Sequence, residues 1–289
     1  MKGGIYLEEK YIYRKHLREP GKIFLFIGLM FIVVYVISSA AMILDSNEIN
    51  KITLFLIILA IGVGIVILMS LEFLFIYFTL YKKFKNINVT LTDDGIIYKN
   101  SSREIIIPYE NINALKFPSI KYTGGWVKIK HSNGNIRLTV VLENIGDMVK
   151  RLKNELDERN MSTVYNEKAI YKFFKTATYC DQSWGRIYDN VKFLMISLVA
   201  NVGVGAIFSG FITDFPVKSF VLIISVVGPI LPFIISEIII ARKLAKQASK
   251  ENFSVPKRDK LFENIMYKWS FGVYTVIYFI VLIVICVLN

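Results

Sequence analysis

Five long apolar stretches divide this chain: Ile23 to Leu44, Ile52 to Leu80, Phe193 to Thr213, Ser219 to Ala241 and Trp269 to Leu288. A helix needs about 20 apolar residues to cross the hydrocarbon core of a bilayer, and each stretch has that length. The sequence therefore predicts a multispanning membrane protein before any motif is read. The same stretches sort the basic residues. Residues 1–22 carry six Lys and Arg against three acids, residues 81–192 carry 19 against 12, and residues 242–268 carry eight against three. The two short connections, Asp45 to Lys51 and Asp214 to Lys218, hold one Lys each. Cytoplasmic loops retain Lys and Arg. The N-terminus is therefore expected in the cytoplasm, with a large cytosolic domain between the second and third spans, a basic cytosolic loop between the fourth and fifth, and the C-terminus outside.

The formal charge of +12 would suggest nucleic acid in a soluble chain. Here the excess flanks apolar spans, where each Lys or Arg near an anionic surface is worth about 1 kcal/mol, so the expected partner is the anionic inner leaflet and no nucleic acid. The small residues Ser38 to Ala41 resemble a signal-peptidase site, yet the long polar lead and the second span close behind favour a retained anchor. The cysteines, Cys180 and Cys286, fall on opposite sides of the expected topology and the histidines, His16 and His131, in different segments. No metal site of His and Cys and no cofactor is expected.

Between Lys82 and Asn160 continuous apolarity gives way to short alternating runs broken by turn residues, the pattern of a small sheet domain. Asn88 to Thr92, Ile96 to Tyr98, Glu104 to Ile107, Ala114 to Phe117, Trp126 to Lys130 and Ile136 to Val141 read as strands. Asn133-Gly134 is placed to supply the positive φ angles of a type I′ hairpin turn. Ile145, Met148, Val149, Leu152 and Leu156 recur at helical spacing, with Asn144 positioned as the cap. One helix after six short strands predicts a bent, partly open barrel or sandwich with the helix covering one end.

These residues carry a resemblance. The Leu91-Thr-Asp-Asp-Gly-Ile96 turn, the Ile107-Pro-Tyr-Glu-Asn-Ile112 segment, the Asn-Gly hairpin and the closing helix look like the bacterial pleckstrin-homology-like (bPH) domain that follows a pair of spans in membrane proteins, over roughly residues 23–159. The resemblance implies a fold and a mode of action, a non-enzymatic membrane-bound scaffold, and leaves the three later spans unexplained. One feature departs from lipid-binding relatives of the fold: the first hairpin loop, Thr92 to Gly95, is acidic, which disfavours phosphoinositide capture there. Trp126, Lys128 and Lys130 instead share one strand face by the two-residue period. They suit a headgroup layer or an acidic partner; a solvated outer face is the plainer alternative.

From Ser162 to Asn190 the chain is rich in aromatic residues among lysines, the composition either of helices lying on the inner leaflet or of a helical extension packed under the sheet domain. The basic loop 242–268 begins with Arg242, Lys243 and Lys246, candidate contacts to anionic lipid that also serve to fix topology. Within the spans, Glu72, Asn201 and Glu237 are the polar candidates; each Glu lies in the expected inner half, where the two are candidates for proton or cation handling as a pair, the plainer alternative being that each reaches the interface or a nearby base. Pro229 and Pro232 predict a kink that frees the carbonyls of Ser225 and Gly228, and Gly62, Gly64, Gly203, Gly205 and Gly210 fit close helix contact.

The sequence thus reads as an α+β membrane protein: a cytosolic segment 1–22, a two-helix transmembrane hairpin 23–80, a cytosolic pleckstrin-like domain 81–160, an amphipathic juxtamembrane linker 161–192, and three transmembrane helices in 193–289 with the basic loop 242–268. No nucleotide, hydrolase, kinase or metalloprotease motif occurs, so no catalytic residue is assigned. The expected role is a scaffold or regulator in the cell membrane that associates with itself or with another membrane protein. The alternatives are a small transporter or permease-like subunit with a Pro-kinked fourth span, and an intramembrane or lipid-modifying enzyme.

Overall fold

The structure, a computed structural model, describes residues 9–45, 50–120, 124–251 and 253–288. Most of the first short connection expected from the sequence, and the first eight residues of the basic N-terminal segment, lie outside the described residues. The chain is α+β and divides into two compact units. One comprises Met1–Pro20, Ile76–Arg186 and Ala241–Lys257; the other comprises Gly21–Phe75, Ile187–Ile240 and Arg258–Asn289.

The first unit begins with strand β1 (Glu9–Ile12) and a single turn, α1 (Lys15–Arg18). The chain then enters helix α2 (Pro20–Asp45) and helix α3 (Lys51–Ile76), which belong mainly to the second unit, and returns through a π-helical turn, Tyr77–Tyr81, and the short α4 (Lys82–Lys85). Strands β2 (Asn88–Leu91), β3 (Gly95–Lys99) and β4 (Glu104–Pro108) follow, and β1 adds to them antiparallel in the order β1-β2-β3-β4. A 3-10 turn at Tyr109–Asn111 leads to a second antiparallel sheet of β5 (Ile112–Lys116), β6 (Ser119–Ile120), β7 (Gly124–His131) and β8 (Gly134–Thr139), in which β7 pairs with the other three. Helix α5 (Ile145–Glu158) closes the run.

Alternation puts Val89, Leu91, Ile96 and Ile107 of the first sheet and Leu115, Val127, Ile129 and Leu138 of the second on inward faces. They form one buried cluster with the apolar stripe of α5, Ile145, Met148, Val149, Leu152 and Leu156. Each such side chain contributes roughly 1.5–3 kcal/mol on leaving water. The expected barrel is not closed: the strands form two four-stranded sheets. The N-terminal segment, which the sequence reading left without structure, runs from the first sheet to the connection between β8 and α5. Beyond β1, Tyr13 bridges to Leu142, and the Glu143 N–H donates to the Ile12 carbonyl at 2.9 Å.

Two local expectations change. The hairpin turn is centred on Ser132-Asn133, because His131 pairs with Gly134. Gly134 has a φ of +140° while Asn133 keeps a negative one, so the turn is not type I′. Asn144 begins α5 in the left-handed region, φ 53°, with no capping hydrogen bond from its side chain. Its N–H is instead held by the Asp181 carboxylate at 3.2 Å.

Asp181 lies on helix α6 (Glu167–Ser209). Its 43 residues span about 64 Å at 1.5 Å per residue, twice what a hydrocarbon core needs, and only the half from Phe193 onward is continuously apolar. The first half belongs with the sheets. Ile170, Phe173, Ala177 and Cys180 enter their core, and Trp184 stacks on His16. Phe173, Phe174 and Tyr179 are buried, whereas Tyr188 is exposed. Gly146 allows the approach: a Cβ there would stand 2.6 Å from the Thr178 hydroxyl.

The second unit holds α2, α3, the apolar half of α6, helices α7 (Phe215–Val227) and α8 (Ile230–Gln247), and helix α9 (Lys260–Leu288). Four helices among the described residues are long and apolar enough to cross a membrane, and α7 with α8 makes a fifth if the pair, bent by 41°, is one span. The bend falls at Gly228-Pro229, where proline removes a backbone donor. Close contact is confined to some of the glycines. Gly62 abuts the Tyr35 ring and Gly205 the Ser225 side chain, whereas an added Cβ at Gly64 or Gly203 would meet nothing within 4 Å.

Candidate functional site

The outward face of the second sheet gathers the clearest constellation. Strand β7 turns Val127, Ile129 and His131 inward, so Trp126, Lys128 and Lys130 face out, as the two-residue period requires. The register adds neighbours from both sides: Lys128 stands opposite Lys116 of β5 and opposite Arg137 of β8, and Lys130 opposite Ala114 and Asn135. Three cations thus form one row across three strands. Among the described residues none of Lys116, Lys128, Lys130 and Arg137 makes an ion pair with a carboxylate. Like charges directly opposite each other across strands destabilise a sheet. Arg137 relieves part of this by lying over the Trp126 ring, 3.8 Å from guanidinium carbon to ring centroid. Sequence reading missed Lys116 and Arg137, because neither shares a strand with Trp126. The hairpin was the signal for Arg137: a turn on Asn133-Gly134 sets it opposite Lys130, and the observed turn sets it opposite Lys128.

The basic end of α8 is separate in sequence. Arg242 and Lys246, one turn apart, are exposed and make no ion pair among the described residues, while Lys243 is half-buried and engaged. Arg258, another cation of the same loop, is consumed at the start of α9: its guanidinium donates to Glu263 Oε2 at 2.8 Å and to Asp189 Oδ2 at 2.9 Å.

The three polar span residues have three different settings. Glu72 is exposed on α3 and makes no hydrogen bond or ion pair among the described residues. It lies 21 residues past Lys51, about 32 Å along the helix and so a whole hydrocarbon thickness away. The stack of Phe24 on neighbouring Phe73, 4.1 Å between centroids, sets it level with the first turns of α2. Glu237 accepts a hydrogen bond from the Tyr267 hydroxyl at 2.5 Å. The two glutamates are not paired with each other.

Asn201 sits in a network that spans three helices. Its amide donates to the Tyr274 hydroxyl and reaches the Ser225 carbonyl at 3.5 Å, the acceptor that Pro229 leaves without a helical donor. Ser225 Oγ lies 2.6 Å from the Val221 carbonyl oxygen and 2.6 Å from the Tyr278 hydroxyl, which is 3.1 Å from the Asn201 carbonyl oxygen. This arrangement re-satisfies a broken helix, as an apolar solvent demands. Of this network the sequence flagged Asn201 and the freed Ser225 carbonyl; Tyr274, Tyr278 and the Ser225 hydroxyl gave no signal, since hydroxyl-bearing residues are ordinary in spans.

On the other unit's α1–α6 contact, Arg14 pairs with Asp181. Burial nevertheless pushes the Asp181 carboxyl up to about 6, with the guanidinium opposing, and burial holds the His16 imidazole down at about 4, helped by Arg14. No three His, Cys, Asp or Glu side chains gather as a metal-holding group among the described residues. No family model, curated protein or solved structure matches the chain.

Proposed function

We propose that this chain is a non-enzymatic membrane scaffold or regulator: five spans anchor it, and a pleckstrin-like cytosolic domain sets a cationic sheet face against the anionic inner leaflet. The observation that carries the proposal is the row Lys116–Lys128–Arg137 beside the Arg-stacked Trp126. A fold gains nothing from three opposed cations without acids, whereas an anionic surface repays each with about 1 kcal/mol. The concentration of Lys and Arg in alternate segments supports placing that domain, and the N-terminus, in the cytoplasm. In this reading the spans associate with copies of the chain or with another membrane protein.

The test uses the whole chain in vesicles. Energy transfer from Trp126, as the sole tryptophan, to a dansyl-labelled lipid should rise as phosphatidylglycerol replaces phosphatidylcholine. It should fall when Lys116, Lys128 and Arg137 are changed together to Glu. Transfer independent of lipid charge would overturn the leaflet proposal, and loss of a co-purifying acidic protein in the triple variant would move the partner to that protein. A second reading, a small transporter, is favoured by the break at Gly228-Pro229 with Asn201 beside it; solute flux into proteoliposomes that is lost in N201L would support it.

A further inference from the structure

Between the bent pair and α9 runs an open groove of about 550 Å³. One wall is the stripe Trp269, Val273, Ile277 and Val281 of α9, set at four-residue intervals. Those 12 residues of advance extend about 18 Å, longer than one leaflet's half of a hydrocarbon core of about 30 Å. The opposite wall follows α7 into α8 across the break, where Gly228 contributes no side chain. A Cβ at Gly228 would stand 2.0 Å from the Tyr274 hydroxyl. The missing side chain thus makes room for the Tyr274 hydroxyl at the bend, and the groove runs alongside this contact.

The chemistry of the lining selects the occupant. Its polar side chains are Trp269 and Ser270 at one end and, further along, Tyr274 and Tyr278, whose hydroxyls are already engaged by Asn201 and by Ser225. A ligand in the groove therefore meets hydrocarbon and no free hydrogen-bonding group along most of its length, which suits an alkyl chain and penalises a polar solute. One end is different. Trp269 is 69% exposed, the setting of an interfacial tryptophan. Lys268 beside it is exposed and makes no ion pair among the described residues. Apolar length ending in an aromatic and a free ammonium is complementary to an acyl chain ending in an anionic headgroup.

We infer that this groove holds one acyl chain of an anionic phospholipid, its phosphate at Lys268 and its tail along α9 past the break. The inference rests on the reading that these helices span a membrane. A lipid so held is retained by the protein, whereas a bulk lipid in contact with a smooth helix exchanges freely. It would also brace the bent pair, since it lies along residues of both α7 and α8.

The test is lipid retention by the full chain. The protein is reconstituted into vesicles of equal phosphatidylglycerol and phosphatidylcholine with 16-carbon chains, extracted in mild detergent and weighed intact by mass spectrometry. One retained phosphatidylglycerol per chain is expected. K268Q, at an exposed position that leaves packing unchanged, should lower the preference for phosphatidylglycerol about fivefold, the weight of one cation near the surface. I277W, which fills the groove, should abolish retention. Wild-type protein that retains no lipid, or retains both lipids equally, would overturn the inference, as would I277W retaining lipid like the wild type. Should I277W fail to fold, the wild-type preference and K268Q decide the matter alone. Failure of the membrane reading shows separately, as protein that alkaline carbonate strips from the vesicles.

Discussion

Replacing Lys128 by Glu should stabilise the sheet domain while weakening its hold on anionic lipid. Lys128 is the middle of the cationic row, opposite Lys116 on one side and Arg137 on the other. With charged groups about 6 Å apart in a water-like dielectric, each repulsion is worth about 0.7 kcal/mol. Reversing the central charge turns two such repulsions into two attractions, a change of about 3 kcal/mol that physiological salt cuts by roughly half. Part of the remainder is lost in ordering long, exposed side chains. About 1 kcal/mol of net stabilisation is expected, which for a unit of this size raises Tm by about 3 °C. On the membrane side the substitution removes one cation and adds one anion, about 2 kcal/mol, or near 30-fold in association. Thermal unfolding of the full chain in detergent reads the first effect, and energy transfer from Trp126 to anionic lipid reads the second. Opposite signs are the signature of a face kept for binding at the expense of the fold. A lowered Tm with unchanged lipid transfer would refute the reasoning, because the row would then be stabilised by contacts within the domain.

In the second unit, G205A should destabilise by about 1–3 kcal/mol, since its Cβ would fall 2.0 Å from Ser225 Oγ; adding S225G should restore most of the loss in thermal unfolding. N201L should cost on the order of 1 kcal/mol, the usual worth of hydrogen bonds inside membranes, because it strands the Ser225 carbonyl and the Tyr274 hydroxyl; an unaltered unfolding midpoint would show the network to be incidental. Two groups at the α1–α6 contact should titrate against each other. Asp181, raised from 3.8 to about 6, binds its proton more tightly when folded, so its contribution is full below 3.8 and is lost as pH rises through about 6, a swing of roughly 3 kcal/mol. His16, lowered from 6.5 to about 4, acts in the opposite sense, its contribution full above 6.5 and lost as pH falls through about 4. Midpoints measured from pH 4 to 6.5 should therefore fall on acidification in D181N and rise on acidification in H16Q, and parallel profiles for the two variants would disprove the assignment.

The apolar helices, the site of the kink, six of the eight strands among the described residues and the stripe of α5 could be read from the sequence, because each depends on one local property: hydrophobic length, a missing N–H or a two- or four-residue period. The outward placement of Trp126, Lys128 and Lys130 follows from that same period. What lay beyond reach depends on which distant segments meet. Nothing in Glu9 to Ile12 distinguishes an edge strand from a basic lead, since it acquires its role only when Tyr13 finds Leu142. The aromatic residues after Ser162 fit a headgroup layer and a protein core equally well by composition, and Phe173 and Tyr165 joined the core through the approach of α6 to α5 at Gly146. Lys116 and Arg137 joined the site through register, where a turn displaced by one residue moves every cross-strand partner by two. Local chemistry is written in the order of residues; pairing is set by the packing free energy of the whole chain, which no single segment carries.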